Sequence, residues 1–231
     1  MNFLAIDAST EACSVALQFN DEIVSRYQLC PQSHSLELLP MVDQVLSEGG
    51  CKLKDLDGLI FGQGPGSFTG VRIGIGVAQG LAYSAGLPLV GVSTLQAMAQ
   101  LAYMSHQQEQ VIAAIDARMS EVYLGYYEIG SDGIMQAKLS DAVLPPQRVA
   151  AHLDGLSKGA YGVGTGWDAY GEKLAELKTN AGSPEVLFPA AHAMLVIGAA
   201  AFARGEQVSA EQAQPVYVRD TVSWKKLPGK E

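Results

Sequence analysis

Two aspartates occupy the same local setting 109 residues apart: Ala5-Ile6-Asp7-Ala8 runs into a polar turn and then a strand, and Ala114-Ile115-Asp116-Ala117 does the same. Asp7, Ser9 and Thr10 could offer hydroxyls and backbone amides to a phosphate, and Asp7 with Asp116 could hold a magnesium ion across a cleft. The simpler reading makes them strand-ending, turn-capping aspartates. The residues alone leave both readings open and favour the simpler one.

Gly62-Gln63-Gly64-Pro65-Gly66-Ser67-Phe68-Thr69-Gly70 resembles a phosphate-cradling loop at a helix N-terminus. No Lys-Ser/Thr follows, so it is not a Walker A loop. Pro65 stands where a nucleophile elbow at Ser67 would need its first glycine. A tight strand-to-helix connection explains the string equally well. His34, His106, His152 and His192 are scattered without HxxxH or HExxH spacing, so no metal site is expected, and His34, just before a helix, reads as an end cap or a surface residue. Cys13, Cys30 and Cys51 match neither CxxC nor a zinc knuckle and read as free thiols of a reducing cytosol. The tail from Trp224 to Lys230 concentrates three lysines, either as a solvated terminus or as a contact to RNA or a partner, with Trp224 as anchor.

The elements that must position these residues follow from periodicity. Residues 4–7, 14–19 and 23–29 read as strands, the last two joined through Asn20-Asp21. Over 34–47, Leu38, Met41, Val42, Val45 and Leu46 recur at helical spacing, and Gly49-Gly50 ends the helix. Residues 59–61 form a strand leading into the glycine-rich string, and residues 68–85 a helix capped by Ser67 or Thr69. Within that helix Gly74, Gly76 and Gly80 each cost about 1 kcal/mol against alanine. Gly76, Gly80 and Ser84 line one face at i, i+4 spacing, which predicts an interface where another backbone comes close. A buried strand over 87–92 leads into a helix from Thr94 to about Met104, and the polar stretch 105–110 marks a boundary before a second unit. The repeated strand, aspartate, turn and strand predict a duplicated sheet-and-helix domain closing over a central cleft.

The chain of 231 residues is 48% hydrophobic and 17% charged, enough to build a sizeable core. A net charge of -9 argues against a broad nucleic-acid footprint, so any RNA should be gripped by another subunit. The N-terminus has no basic n-region, and no window approaches the ~20 apolar residues of a membrane span. A cytoplasmic protein with no membrane contact is expected.

Residues 4–11 (LAIDASTE), 64–74 (GPGSFTGVRIG), 86–95 (GLPLVGVSTL) and 114–123 (AIDARMSEVY) together resemble the TsaB (YeaZ) family. Gly164-Thr165-Gly166-Trp167 and the tail, Pro215-Val216-Tyr217 to Lys230, extend the match over essentially the whole chain, and the GPGSFTGVRIG string is its most specific part. The resemblance implies an α/β, two-lobed actin-like or heat-shock-chaperone ATPase (ASKHA) fold with duplicated mixed sheet-and-helix domains. The lobes would span residues 1–105 and 106–231, with the tail, about 206–231, packing back on the first lobe.

It further implies a role with TsaD and TsaE in moving threonylcarbamoyl from threonylcarbamoyl-AMP to N6 of the adenosine beside the tRNA anticodon. In that family TsaD is the catalytic paralogue and carries HxxxH metal ligands. Thr94 and Met98 stand at the matching positions here, and neither can replace an imidazole on a borderline metal. The implied chain is an inactive paralogue without catalytic or metal residues, requiring no cofactor and at most binding ATP or ADP weakly within the complex. Its partners would be TsaD as a heterodimer, TsaE, and itself as a homodimer when alone, with tRNA reached only through the complex. The expected interface is His34, Leu38, Met41, Val42, Arg72, Ile73, Gly76, Gln79, Gly80 and Tyr83. The rival expectations are a stand-alone ATPase using Asp7 and Asp116, a peptidase-like enzyme, or a binding module unconnected with tRNA. The second half has no clear adenine-side glycine motif to support the first, and the metal ligands a peptidase would need are missing.

Overall fold

Alternation along the first strands sorts side chains to the two faces of a sheet. In the computed structural model, which describes residues 1–156, 159–174, 177–180 and 184–219, β1 (Phe3–Asp7), β2 (Ala12–Phe19) and β3 (Glu22–Leu29) form the expected antiparallel meander. Helix α1 (His34–Glu48) follows, then β4 (Gly58–Gly64), helix α2 (Phe68–Ala85) and β5 (Leu89–Ser93). β4 pairs parallel to β1 and β5 parallel to β4, giving the sheet order β3-β2-β1-β4-β5. Leu4, Ile6, Val15 and Leu17 face α1 and α2, where they meet Leu38, Met41, Val45, Val71, Ile75 and Ala82. Phe3, Ala5, Ala16, Ile60, Val90 and Val92 face the other way.

Helix α3 (Thr94–His106) leads to a second sheet made of β6 (Gln110–Asp116), β7 (Val122–Ile129), β8 (Met135–Leu144) and, after helix α4 (Val149–Leu153), β9 (Tyr161–Val163). Its order is β8-β7-β6-β9, with β6 antiparallel to β7 and parallel to β9. β6 thus repeats the place of β1, and the two matched Ala-Ile-Asp-Ala segments end the central strands of the two sheets. The weak repeat in the sequence is a duplication of topology.

Val111, Ala113, Ile115 and Tyr127 receive Leu95, Met98 and Ala102 of α3. On the outer face Ile112, Ala114 and Tyr126 receive Val149 and Leu153 of α4, Trp167 of α5 (Gly166–Ala169) and Leu174 of α6 (Gly171–Leu174).

The last helix, α7 (Ala191–Ala203), is apolar all round, as a helix covered on several sides must be. It lies against the free face of the first sheet and against α3, with Phe202 stacked on Phe3 at 4.6 Å between ring centroids. Ser14 Oγ accepts the amide of Ala191 at 2.8 Å and so caps the helix from β2. The return to the first lobe therefore begins at α7, before residue 206. Reciprocally, α3, from the first half, packs on the second sheet, so each lobe takes a helix from the other's stretch of chain. The order of layers is α1 and α2, first sheet, α3 and α7, second sheet, α4 to α6.

Beyond α7 the chain bridges to β5, where the Val208 and Leu89 backbones exchange hydrogen bonds of 2.8 and 2.9 Å. Gln79 Nε2 donates to the carbonyls of Ala210 and Ala213, and the Val216 amide donates to Gln63 O at 2.8 Å. The lysine-rich segment Trp224 to Lys230 lies outside the described residues. Phe202 fills the space over Gly58, where a Cβ would come within 2.3 Å of its ring. Phe202→Ala should lower the unfolding free energy by about 3 to 4 kcal/mol, read from urea titration at constant slope.

Candidate functional site

β1 carries Asp7 to the end of the first central strand, where it is buried. Its Oδ1 accepts from the Ser9 amide at 3.1 Å and from Ser9 Oγ at 3.0 Å, and Thr94 Oγ1, on the first residue of α3, donates to Ser9 Oγ at 3.0 Å. Asp7 Oδ2 is buried with no hydrogen-bond partner among the described residues. Gly62 faces it, since a Cβ there would sit 1.9 Å from that oxygen. Burial lifts the Asp7 carboxyl to about 6, opposed by the two Ser9 hydrogen bonds and by the charge of His34.

The glycine-rich string presses on this loop. A Cβ on Gly66 would lie 2.1 Å from the Ser9 carbonyl oxygen, and one on Gly70 2.2 Å from that of Ala8. The Ser67 amide donates to Ser9 O at 2.7 Å, and Ser67 Oγ caps α2 by accepting from the Gly70 amide at 3.3 Å. Of the amides that a phosphate cradle would use, that of Ser67 is spent on the Asp7 loop. Thr10 Oγ1 accepts from the Ala12 amide at 3.4 Å, and the Thr10 carbonyl accepts from His34 Nε2 at 2.6 Å.

Asp116 meets a different environment. Its carboxylate accepts from the Arg118 amide at 2.9 Å, from the Arg118 guanidinium at 2.8 Å and from Tyr170 Oη at 3.0 Å. Arg118 also reaches Glu11 of the first lobe at 3.3 Å. The guanidinium thus places a positive charge beside the carboxylate. Asp7 and Asp116 are matched in topology, but one is buried against glycine and the other neutralised by arginine.

The expected interface divides. Leu38, Met41 and Val42 are buried in the first lobe's core, and buried His34 holds the Thr10 carbonyl. These four correct the expectation of an outward face, because the apolar stripe of a helix on a sheet is the one the monomer buries first. Ile73 is half-buried against the same core, and Gln79 is committed to the chain after α7. The outward face instead shows Leu36 of α1 and, on α2, Phe68, Arg72, Gly76, Gly80 and Tyr83, with Leu36 72%, Phe68 61% and Tyr83 73% exposed. The Arg72 guanidinium lies over the Phe68 ring at 3.3 Å. A Cβ on Gly76 or Gly80 would meet nothing within 4 Å.

Two groupings had no signal in sequence spacing. Asp141 of β8 accepts from Ser93 Oγ at 2.6 Å and from Tyr127 Oη at a short contact, and burial raises its pKa. It lines a cleft of about 530 Å³ with Gln96, Ser140, Val216 and Tyr217. Cys13 and Cys30, free thiols as expected, converge on His34. His34 is therefore neither an exposed residue nor a simple helix cap.

Two sheets in which the strand lying between one antiparallel and one parallel neighbour ends in an aspartate, Asp7 in β1 and Asp116 in β6, define a two-lobed domain of the actin-like (ASKHA) class. Residues 25–215 match the family described as "TsaD: tRNA N6-adenosine threonylcarbamoyltransferase". The tRNA threonylcarbamoyladenosine biosynthesis protein TsaB of Escherichia coli is 49% identical over all of both chains, and that of Haemophilus influenzae is 41% identical over 100% of this chain and 99% of its own. The solved structure of YeaZ from Pseudomonas aeruginosa superposes with a TM-score of 0.84 at 46% identity, covering 94% of this chain and 100% of that one. The chain belongs to the TsaD-type domain family and, within it, to TsaB.

The Asp7 carboxyl carries a pH signature. A pKa raised in the folded state from 3.8 to about 6 means that its stabilising contribution is full below the unfolded value and lost as pH rises through about 6. Between pH 4 and pH 7 the unfolding free energy of the wild type should therefore fall relative to that of Asp7→Asn by on the order of 2 to 3 kcal/mol. Parallel pH profiles for the two proteins would show that Asp7 is ordinary.

Proposed function

We propose that this chain serves the biosynthesis of threonylcarbamoyladenosine in tRNA as a non-catalytic subunit that docks on a TsaD-type catalytic partner. In this reading TsaE joins the pair, and the tRNA and threonylcarbamoyl-AMP are handled by the partner. The observation that carries it is the fate of the two positions matched to the metal histidines of the catalytic paralogue. Thr94 spends its hydroxyl on Ser9, and Met98 is sealed in the core between α3 and the second sheet. Hydroxyl and thioether at these places are poor ligands for a borderline metal, and both are already used for folding. A further support is the engagement of Asp116 by Arg118, which leaves the cleft little use for a magnesium-bound nucleotide. The chain accordingly requires no cofactor, and ATP or ADP would bind at most weakly in the complex.

The docking surface in this reading is the outward face of α1 and α2, where the open row Gly76 and Gly80 lets a partner helix approach closely. The same face serves a homodimer when the chain is alone.

Modification of tRNA with preformed threonylcarbamoyl-AMP, omitting this chain, TsaD and TsaE in turn, tests the proposal. Activity should require both this chain and TsaD, with this chain alone inert. Modification by this chain alone, or no effect of leaving it out, would overturn the reading. Gly76→Leu and Gly80→Leu should weaken association with TsaD at least tenfold in sedimentation runs. Their melting temperatures should stay near wild type, since each new side chain points into open space. Unchanged affinity in both variants would remove α2 from the interface.

A further inference from the structure

Cys13, Cys30 and His34 take no part in the function proposed above. Cys13 on β2 is paired with Gln28 of β3, the next pair is Ala12 with Leu29, and the Cys30 amide then donates to Glu11 O at 3.0 Å. The two cysteines are therefore diagonal neighbours, and both belong to the core beneath α1. The turn after Cys30 brings His34, the first residue of α1, over them. Both sulfurs and an imidazole nitrogen lie within 4.8 Å of one another, and the residues are 0%, 2% and 9% exposed.

We propose that Cys13, Cys30 and His34 form a binding site for a thiophilic divalent cation of the zinc type. Two thiolates and an imidazole are the donor set that borderline cations select. Bond lengths of about 2.3 Å to sulfur and about 2.0 Å to nitrogen place tetrahedral ligand atoms roughly 3.5 to 3.8 Å apart, so the cluster needs to contract by only about 1 Å. The histidine is already set for the task. Its Nε2–H donates to the Thr10 carbonyl at 2.6 Å, so a cation would be bound through Nδ1 of the neutral ring. That hydrogen bond to a backbone carbonyl is the outer contact that orients metal-bound histidines.

Free thiols are protonated at neutral pH. Binding then converts two thiols to thiolates and releases about two protons per cation. Three protein ligands leave a fourth position for water.

A redox pair is the competing use of two neighbouring cysteines. Diagonal positions across an antiparallel pair hold their Cβ atoms about 7 Å apart, whereas a disulfide needs roughly 3.5 to 4.5 Å. A cation fits ligand sulfurs within 4.8 Å after a contraction of about 1 Å, whereas a disulfide would need them to close to about 2 Å. Bound there, it would tie β2, the exit of β3 and the start of α1 into one unit and hold the Thr10 end of the Asp7 loop.

The test uses the full chain purified under reducing conditions, with zinc affinity read by competition against a chromogenic chelator and with cobalt as the spectroscopic probe. One cation per chain is expected, together with a thiolate-to-cobalt charge-transfer band, tetrahedral ligand-field bands and release of about two protons on binding. Cys13→Ser and Cys30→Ser should each weaken zinc about 100-fold or more, beyond what loss of an outer contact alone costs. Cys51→Ser, outside the cluster, should leave affinity unchanged. If a serine variant fails to fold, the wild-type cobalt spectrum and proton count decide. Absence of the cobalt–thiolate band, zinc affinity unaltered in both variants, or a Cys13–Cys30 disulfide under mild oxidation in a chain whose reduced form binds no zinc would each overturn the proposal.

Discussion

Everything near the cleft hangs on a backbone-to-backbone contact with no room for a side chain. Gly66 and Gly70 lie so close to the carbonyls of Ser9 and Ala8 that any Cβ would overlap them, and the Ser67 amide closes the contact with a 2.7 Å hydrogen bond. This contact fixes the loop after β1. The fixed loop holds the Ser9 hydroxyl between Asp7 and Thr94, and Thr94 begins the helix that crosses to the second lobe. The direction of α2 is set from the same place, through the Ser67 cap. The glycine-rich string thus does mechanical work before it does any chemistry.

The glycines of α2 divide by the same measure. Gly70, and to a lesser degree Gly74 at 3.6 Å from Ala8, gain a close neighbour in return for poor helix propensity. Gly76 and Gly80 gain none within the monomer, yet each still costs about 1 kcal/mol relative to alanine. An uncompensated local cost on an exposed face, flanked by exposed Phe68 and Tyr83, is the physical case for a partner backbone there.

Much of this was legible in the sequence. Helix periodicity and the Ser67 signal place α2 at the residues where it lies, and the four-residue repeat around Asp7 and Asp116 marks the duplicated central strands. What was not legible is which way a surface points once a helix has two claims on it. The stripe of Leu38, Met41 and Val42 is what periodicity detects, but periodicity does not distinguish a core from an interface, and the sheet took it. The Cys13, Cys30 and His34 grouping depends on the β2–β3 register and on the turn into α1, neither of which a spacing rule encodes. Asp141 lies 48 residues from Ser93, its partner across the cleft. The apolar run of α7 gave no stripe to read, because a helix between layers has no solvent side.

The two aspartates show how far neighbours decide chemistry when topology is shared. At Asp116 the turn supplies Arg118, and an exposed guanidinium bridging to Glu11 satisfies the carboxylate while linking the lobes. Such a surface network adds little to stability. At Asp7 the turn supplies Ser9 and the neighbouring parallel strand β4 supplies Gly62, so one oxygen is satisfied and the other is shut away from water. Holding that carboxylate ionised at neutral pH costs on the order of 2 to 3 kcal/mol, a sizeable share of the roughly 5 to 15 kcal/mol that keeps a domain folded. An alanine there would remove that cost but also leave the buried Ser9 amide and hydroxyl without their acceptor, a loss of about 1 to 3 kcal/mol for each.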